Sequence, residues 1–154
     1  MTLPHKGDEQ AIRSLVERYA DSASRRDPDG IASTFTPDGT WYSPPLGRFA
    51  GREAMLAFFT PLLEPWAVFL QAMLSGVVVV DDSNPDRAVG RWFVQETAHH
   101  DEGTHLIISG VYHDEYVREG GAWLIQHRRY DALLRDTDGQ VTTHPFPADA
   151  PTIG

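Results

Sequence analysis

The sequence predicts an α+β fold in which three N-terminal helices pack on a curved, mainly antiparallel sheet and leave an internal pocket. Apolar residues recur at three- and four-residue steps in the first part of the chain, which is typical of helices. From about residue 69, long β-branched and apolar runs alternate with turn residues. A length of 154 residues with 41% hydrophobic content suits one core. We therefore expect a single domain over residues 1–154, with a core at about 8–134 and a tail at 135–154.

The first two helices follow from their spacing and end signals. The first should run from Asp8 to about Arg26, because its apolar residues share one face and acidic residues suit its start. Asp27 can cap a second, short helix whose first residue is Pro28.

The chain between the second and third helices carries turn signals. Residues 36–39 are predicted to form a turn, and residues 40–42 begin a short strand that is broken at 44–45 by two prolines. Residues 51–53 open the third helix, and Pro61 should kink or end it.

Four strands are predicted in the rest of the chain, and the last three form an antiparallel meander. The turns between them contain Asn-Pro, Asp-Glu-Gly and Gly-Gly. The predicted strands are Phe69–Val80, Arg87–His99, Thr104–Arg118 and Ala122–Leu134.

The strands carry large apolar groups at both side-chain parities, as in the neighbours Trp92 and Phe93. A sheet with one face in water would alternate more cleanly. We therefore expect a homodimer or homotrimer formed through the outer sheet face. The alternative is that these are ordinary scattered surface apolar residues.

Composition limits the partners. A formal charge of -9 would repel a polyanion, so we expect no nucleic-acid partner. No cysteine occurs, and the seven histidines have no regular spacing, so we expect no metal site. Residues 1–10 are polar and no run is long enough to cross a membrane, which predicts a cytoplasmic protein without a membrane partner.

Several local strings, in this order and spacing, resemble the SnoaL-like branch of the nuclear transport factor 2-like superfamily. They are RYAD at 18–21, FTPDGTW at 35–41, GREA at 51–54, AVGRW at 88–92, GVYHDEY at 110–116 and GAWLI at 121–125. The resemblance implies a conical domain with a pocket between the helices and the concave sheet face. It also implies cofactor-free lyase, isomerase or cyclase chemistry on an aromatic, polyketide-like or steroid-like compound.

The dehydratases and dehydrochlorinases of this superfamily use an Asp late in the first helix and a His at the start of the first long strand. The resemblance places Ser24 and Ala72 at these positions, or Gln71 if the strand is shifted by one residue. None of these side chains can act as a base. An alternative function is therefore a non-catalytic binding or oligomerisation module that has lost the dyad.

Three other residues are candidates for catalysis. Glu96 shares strand parity with Trp92, so in an apolar pocket its pKa would rise and it could act as a general acid or base; the alternative is a solvent-facing position. By the resemblance, Arg128 points into the pocket, where it could bind an oxyanion or pair with Glu96, unless it forms a surface ion pair. Asp27 could reach the same cavity, unless it only caps its helix.

The last hairpin decides which residues share a face. A two-residue loop at Gly120-Gly121 pairs Glu119 with Ala122 and puts Tyr112 and Arg128 on opposite faces, whereas a three-residue loop with a bulge puts them together. Aromatic residues should form part of the pocket wall, although many could belong to an ordinary core. The predicted pocket residues are Tyr19, Ser24, Trp41, Trp66, Phe69, Ala72, Trp92, Ile108, Tyr112 and Tyr130.

Overall fold

The computed structural model describes residues 5–153, so the first four residues of the polar N-terminal segment and the last residue of the predicted tail lie outside the described part. The helices and strands follow one another as α1 Lys6–Ser24, α2 Pro28–Ser33, β1 Phe35–Ser43, β2 Gly47–Ala50, α3 Arg52–Leu63, β3 Trp66–Asp81, β4 Asn84–His100, β5 His105–Glu119, β6 Ala122–Thr137 and β7 Gln140–Thr143.

Three helices pack on a curved, unclosed sheet, which confirms the predicted α+β fold. The strand order is β2-β1-β6-β5-β4-β3, with β7 paired to β6. All pairs are antiparallel except β1 with β6. Helix α1 lies against β3 and β6, while α3 contacts β1 and β2, so the helices occupy the concave face of the sheet.

The helices form where their apolar faces and caps predict them. In α1, the apolar face turns Ile12, Val16 and Tyr19 into the core, and each is at most 1% exposed. At the start of α2, the Asp27 carboxylate accepts a hydrogen bond from the Gly30 N–H at 3.0 Å. A cap of this kind stabilises a helix by about 1 kcal/mol. Helix α3 ends at Leu63, two residues after Pro61.

Residues 36–39 lie within β1, so the predicted turn at this place is wrong. Phe35 pairs with Ile125 and Thr40 pairs with His127, so the six residues 35–40 of β1 lie opposite only three residues of β6. The extra residues form an irregular bulge, which takes up the Pro37-Asp38-Gly39 sequence without ending the strand.

The segment after Leu134 also contains structure that the sequence analysis placed in a tail. Strand β6 continues to Thr137, and a two-residue loop at Asp138-Gly139 leads into β7. Both loop residues have positive φ, 52° and 87°, as a tight hairpin requires.

The C-terminal segment after β7 crosses the outer face of the sheet. Phe146 packs edge-on against His113 and lies near Phe93, while Asp149 accepts hydrogen bonds from Arg129.

The outer face of the edge strand β3 remains open, with exposed apolar side chains at Val68, Leu70, Leu74 and Val77. Within residues 5–153, none of the described helices has the length and apolar character that a membrane span requires.

Candidate functional site

A cavity of about 390 Å³ lies between the helices and the concave face of the sheet. All three helices and the strands β1, β3, β4, β5 and β6 contribute side chains to its wall. Of the ten predicted pocket residues, seven line this cavity. They are Tyr19, Trp41, Trp66, Phe69, Ile108, Tyr112 and Tyr130.

Two of the predicted pocket residues lie elsewhere because of their packing and strand parity. Trp92 belongs to the packed core: its ring covers Gly76 so closely that a Cβ at that position would clash with it, and its Nε1–H donates to the Tyr116 hydroxyl at 2.8 Å. Ala72 is exposed on the outer face. Its neighbour Gln71 pairs with Glu96 on the inner row of the sheet and lines the cavity in its place.

Ser24 supports the cavity wall from behind. It is not among the described residues that line the cavity, but its hydroxyl accepts a hydrogen bond from the Gln71 backbone N–H at 2.9 Å. The two positions at which the resemblance places a catalytic dyad are therefore adjacent in space, provided that the strand position is Gln71. They carry a hydroxyl and an amide, neither of which is basic.

Glu96 places a carboxylate in the cavity wall. The Gln71 amide group bridges it to Tyr112, since Nε2 donates to Glu96 Oε1 at 3.0 Å and to the Tyr112 hydroxyl at 3.1 Å. Burial raises the pKa of Glu96 to about 7, and the Gln71 hydrogen bond and the charge of Arg135 oppose this only in part. At neutral pH the group can therefore either accept or give a proton.

Three tyrosines beside Glu96 stay protonated at neutral pH. Burial, the largest cause in each case, raises the pKa of Tyr19, Tyr112 and Tyr130 above the usual value of 10.0. The Tyr130 hydroxyl has no hydrogen-bond partner among the described residues, and the same holds for the indole Nε1 of Trp41. These groups are donors that a bound oxygen atom can use.

Arg128 pairs with Asp114. It does not pair with Glu96, although the sequence had left that pair open. Its Nε donates to Asp114 Oδ1 at 2.8 Å and its Nη2 to Oδ2 at 2.7 Å, and both side chains are 0% exposed. The guanidinium lies between two aromatic rings, 4.2 Å from the centroid of Tyr19 and 4.0 Å from that of Tyr112. Arg128 is not among the described residues that line the cavity; it lies against the rings of Tyr19 and Tyr112, which do line it.

The last hairpin combines the two alternatives that the sequence analysis had separated. Glu119 pairs with Ala122, so the loop has two residues. A bulge at Gln126 then shifts the register, because Tyr116 pairs with Ile125 while Glu115 pairs with His127. Tyr112 and Arg128 therefore share a face although the loop is short.

Asp27 is a helix cap. Besides accepting from the Gly30 N–H, its carboxylate lies 3.5 Å from Arg25, and it is not among the described residues that line the cavity. Neither Arg135 nor Asp114 was predicted from the sequence. Arg135 faces inward because Leu133 is an extra residue in β6: Gly110 pairs with Ala132 and Ser109 with Leu134, so the parity of Tyr130 and Ala132 does not continue to Arg135. Among residues 5–153, no three side chains form a group that could hold a metal ion.

Solved structures share the fold over nearly the whole chain. A proposed aromatic ring hydroxylase from Novosphingobium aromaticivorans has 20% identity and a TM-score of 0.79, with 93% of this chain and 96% of that chain covered. The hexachlorocyclohexane dehydrochlorinase LinA-type3 from Novosphingobium barchaimii has 19% identity and a TM-score of 0.73, with coverage of 95% and 96%. At these identities the likeness shows the fold alone.

A protein of unknown function from Mycobacterium tuberculosis has 26% identity and a TM-score of 0.71, with 82% of this chain and 75% of that chain covered. No curated protein is similar enough in sequence to count as a relative. Three helices on a curved open sheet that encloses a cavity define a protein of the nuclear transport factor 2-like class. Within that class, the chain belongs to the SnoaL-like domain family, whose model matches residues 6–129.

Proposed function

We propose that the protein is a cofactor-independent enzyme that transfers protons on an aromatic, polyketide-like or steroid-like compound held in the cavity. The reaction would be an elimination, an isomerisation or a cyclisation. One observation carries the proposal: Glu96 places a carboxylate with a pKa of about 7 in an aromatic cavity, next to the phenol of Tyr112. A group that is half ionised at working pH is the most effective general base or acid.

The size and the walls of the cavity suit a flat, largely apolar ligand. Its volume of about 390 Å³ lies in the range of roughly 300–1,000 Å³ that is usual for small-molecule sites. Six of its lining residues are aromatic rings that the sequence had predicted, and the Trp41 and Tyr130 rings stack at a centroid distance of 6.1 Å. Such walls favour ligands with rings of their own.

The proposed first step removes a proton from a carbon beside a carbonyl group. The C–H bond breaks, the proton passes to the Glu96 carboxylate, and the electron pair moves to the carbonyl oxygen. The phenol of Tyr112 or Tyr130 donates a hydrogen bond to that oxygen as its charge grows. Glu96 then returns the proton at a second carbon, or a leaving group departs.

Arg128 has a positioning role in this scheme. Its charge lies against the rings of Tyr19 and Tyr112, where it favours a negative charge that develops near those rings. Because it is held by Asp114, it does not itself move to the substrate.

Exchange of α-protons tests this proposal. The protein is incubated with 1-tetralone in deuterium oxide, and loss of the α-proton signal is followed by NMR at several pH values. We expect exchange that rises with pH through about 7, as Glu96 ionises. Glu96→Gln should remove it, whereas Glu119→Gln, at an exposed position by the last hairpin loop, should not. Equal exchange in wild type and Glu96→Gln would contradict the assignment.

Ser24 and Gln71 favour a second candidate function, a non-catalytic binding or oligomerisation module. Neither residue can replace the acid and the histidine that the resemblance places there. Tight binding of aromatic compounds without proton exchange at any pH would support this candidate over the enzyme.

We also propose that two or three copies associate through the outer sheet face. The apolar side chains that β3 exposes support this, because Val68, Leu70, Leu74 and Val77 are each 46–60% exposed on one edge strand.

A further inference from the structure

The cavity has an uneven distribution of charge. Of the twenty described residues that line it, only Glu96 and Arg135 have charged side chains. Glu96 is half-buried in the wall, whereas Arg135 is exposed, so it marks the rim where the cavity opens to solvent. A cation at this place is notable in a chain whose formal charge is -9.

Strand pairing fixes Arg135 relative to Glu96. Glu96 pairs with Ile108, and Ile108 pairs with Arg135, so the three residues form one row across β4, β5 and β6. Neighbouring strands lie about 4.8 Å apart, which puts the α-carbons of Glu96 and Arg135 about 10 Å apart. Ile108 separates them, and they form no ion pair within 4.0 Å.

The guanidinium of Arg135 has no acidic partner among the described residues. Its one side-chain hydrogen bond, from Nε to Thr137 Oγ1, is 3.5 Å long and therefore weak. The neighbouring arginines of β6 differ, because Arg128 is held by Asp114 and Arg129 by Asp131 and Asp149. Arg135 therefore keeps a planar set of donors that matches a carboxylate.

We propose that the cavity selects aromatic carboxylates, with the carboxylate of the ligand on Arg135 at the rim and its rings between the aromatic walls. One part of this inference rests on the proposed function, namely the position of the reacting carbon beside Glu96. The binding of the carboxylate by Arg135 does not. One guanidinium balances one negative charge, so a monoanion fits better than a phosphate dianion in a chain of strong negative charge. The apolar residues between the two charged groups, such as Ile108, suit the ring portion.

Isothermal titration calorimetry with 2-naphthoate and its neutral analogue 2-naphthamide tests this inference. At pH 6 and low salt, the wild type should bind naphthoate about fivefold to tenfold more tightly than the amide. Arg135→Gln should remove this preference and leave the affinity for the amide within about twofold. Arg48→Gln removes the same charge from the outer face, where Arg48 covers Tyr42, and should keep the preference.

Three results would overturn the inference: equal affinities in the wild type, an equal loss of preference in Arg48→Gln, or no binding of either compound. The test is independent of catalysis, because the exchange experiment uses a neutral ketone. A carboxylate preference that depends on Arg135, without exchange on tetralone, would support the inference and contradict the proposed enzyme.

Discussion

Removal of the Asp114 carboxylate should strongly destabilise the fold. Asp114 accepts two hydrogen bonds from Arg128 and one from the Tyr116 hydroxyl at 2.6 Å, and the ion pair is 0% exposed. In Asp114→Ala the buried guanidinium keeps its charge but loses both of its acceptors. Breaking one partner of a buried pair costs about 3–5 kcal/mol. For a domain of this size, that loss lowers Tm by about 6–20 °C.

Urea unfolding followed by tryptophan fluorescence measures this change. Asp82→Ala is the control, because Asp82 is 94% exposed and its removal should change stability by less than about 0.5 kcal/mol. The double variant Asp114→Leu with Arg128→Met should recover much of the loss, since it leaves no unpaired charge. A loss below about 1 kcal/mol in Asp114→Ala would refute the reasoning, because that is the value of a surface pair.

Two further predictions concern Glu96 and the outer face. Burial raises the folded-state pKa of Glu96 from 4.5 to about 7, so the group favours folding when protonated and this contribution is lost as the pH rises from about 4.5 through 7. Glu96→Gln should therefore be more stable than the wild type at pH 8, by on the order of 3 kcal/mol, and nearly equal to it at pH 4. Urea unfolding at both pH values checks this, and a difference that does not depend on pH would contradict it. If copies associate through β3, Leu70→Asp should lower the mass measured by light scattering to that of a monomer, whereas Val141→Asp on β7 should not; an unchanged mass would remove β3 from the interface.

The sequence predicted much of the fold because periodicity is a local property. The apolar face of α1 and the cap at Asp27 each depend on residues a few positions apart, and both are confirmed. Strand parity likewise grouped Glu96 with Trp92, Val94 and Ala98, and the resemblance placed this group on the concave face; the three neighbours of Glu96 are buried. Parity alone did not distinguish a cavity wall from a core, as Trp92 demonstrates.

Bulges limited the prediction of the site. A single extra residue at Gln126 inverts the parity of β6 from His127 to Ala132, and a second extra residue at Leu133 restores it before Arg135; nothing in the local sequence marks either position. The bulge in β1 and the short strand β7 were missed for a related reason. Turn-forming residues occur both where a strand ends and where it only bends, so they do not distinguish the two cases. The sequence placed Ala72 in the cavity wall, where the structure has Gln71. This is likewise an error of one residue in strand parity.

The amino-acid sequence by itself predicted the class of fold and the aromatic character of the cavity, because these depend on spacing along the chain, and it left two orientations open for the Glu96 carboxylate. Only the tertiary structure decided that Arg128 pairs with Asp114, that Gln71 links Glu96 to Tyr112, and that Arg135 stands at the rim. The contacts of Arg128 and Gln71 join residues on different strands, 14 to 41 positions apart in the sequence. Their geometry and the position of Arg135 are set by strand register, which many distant contacts fix together.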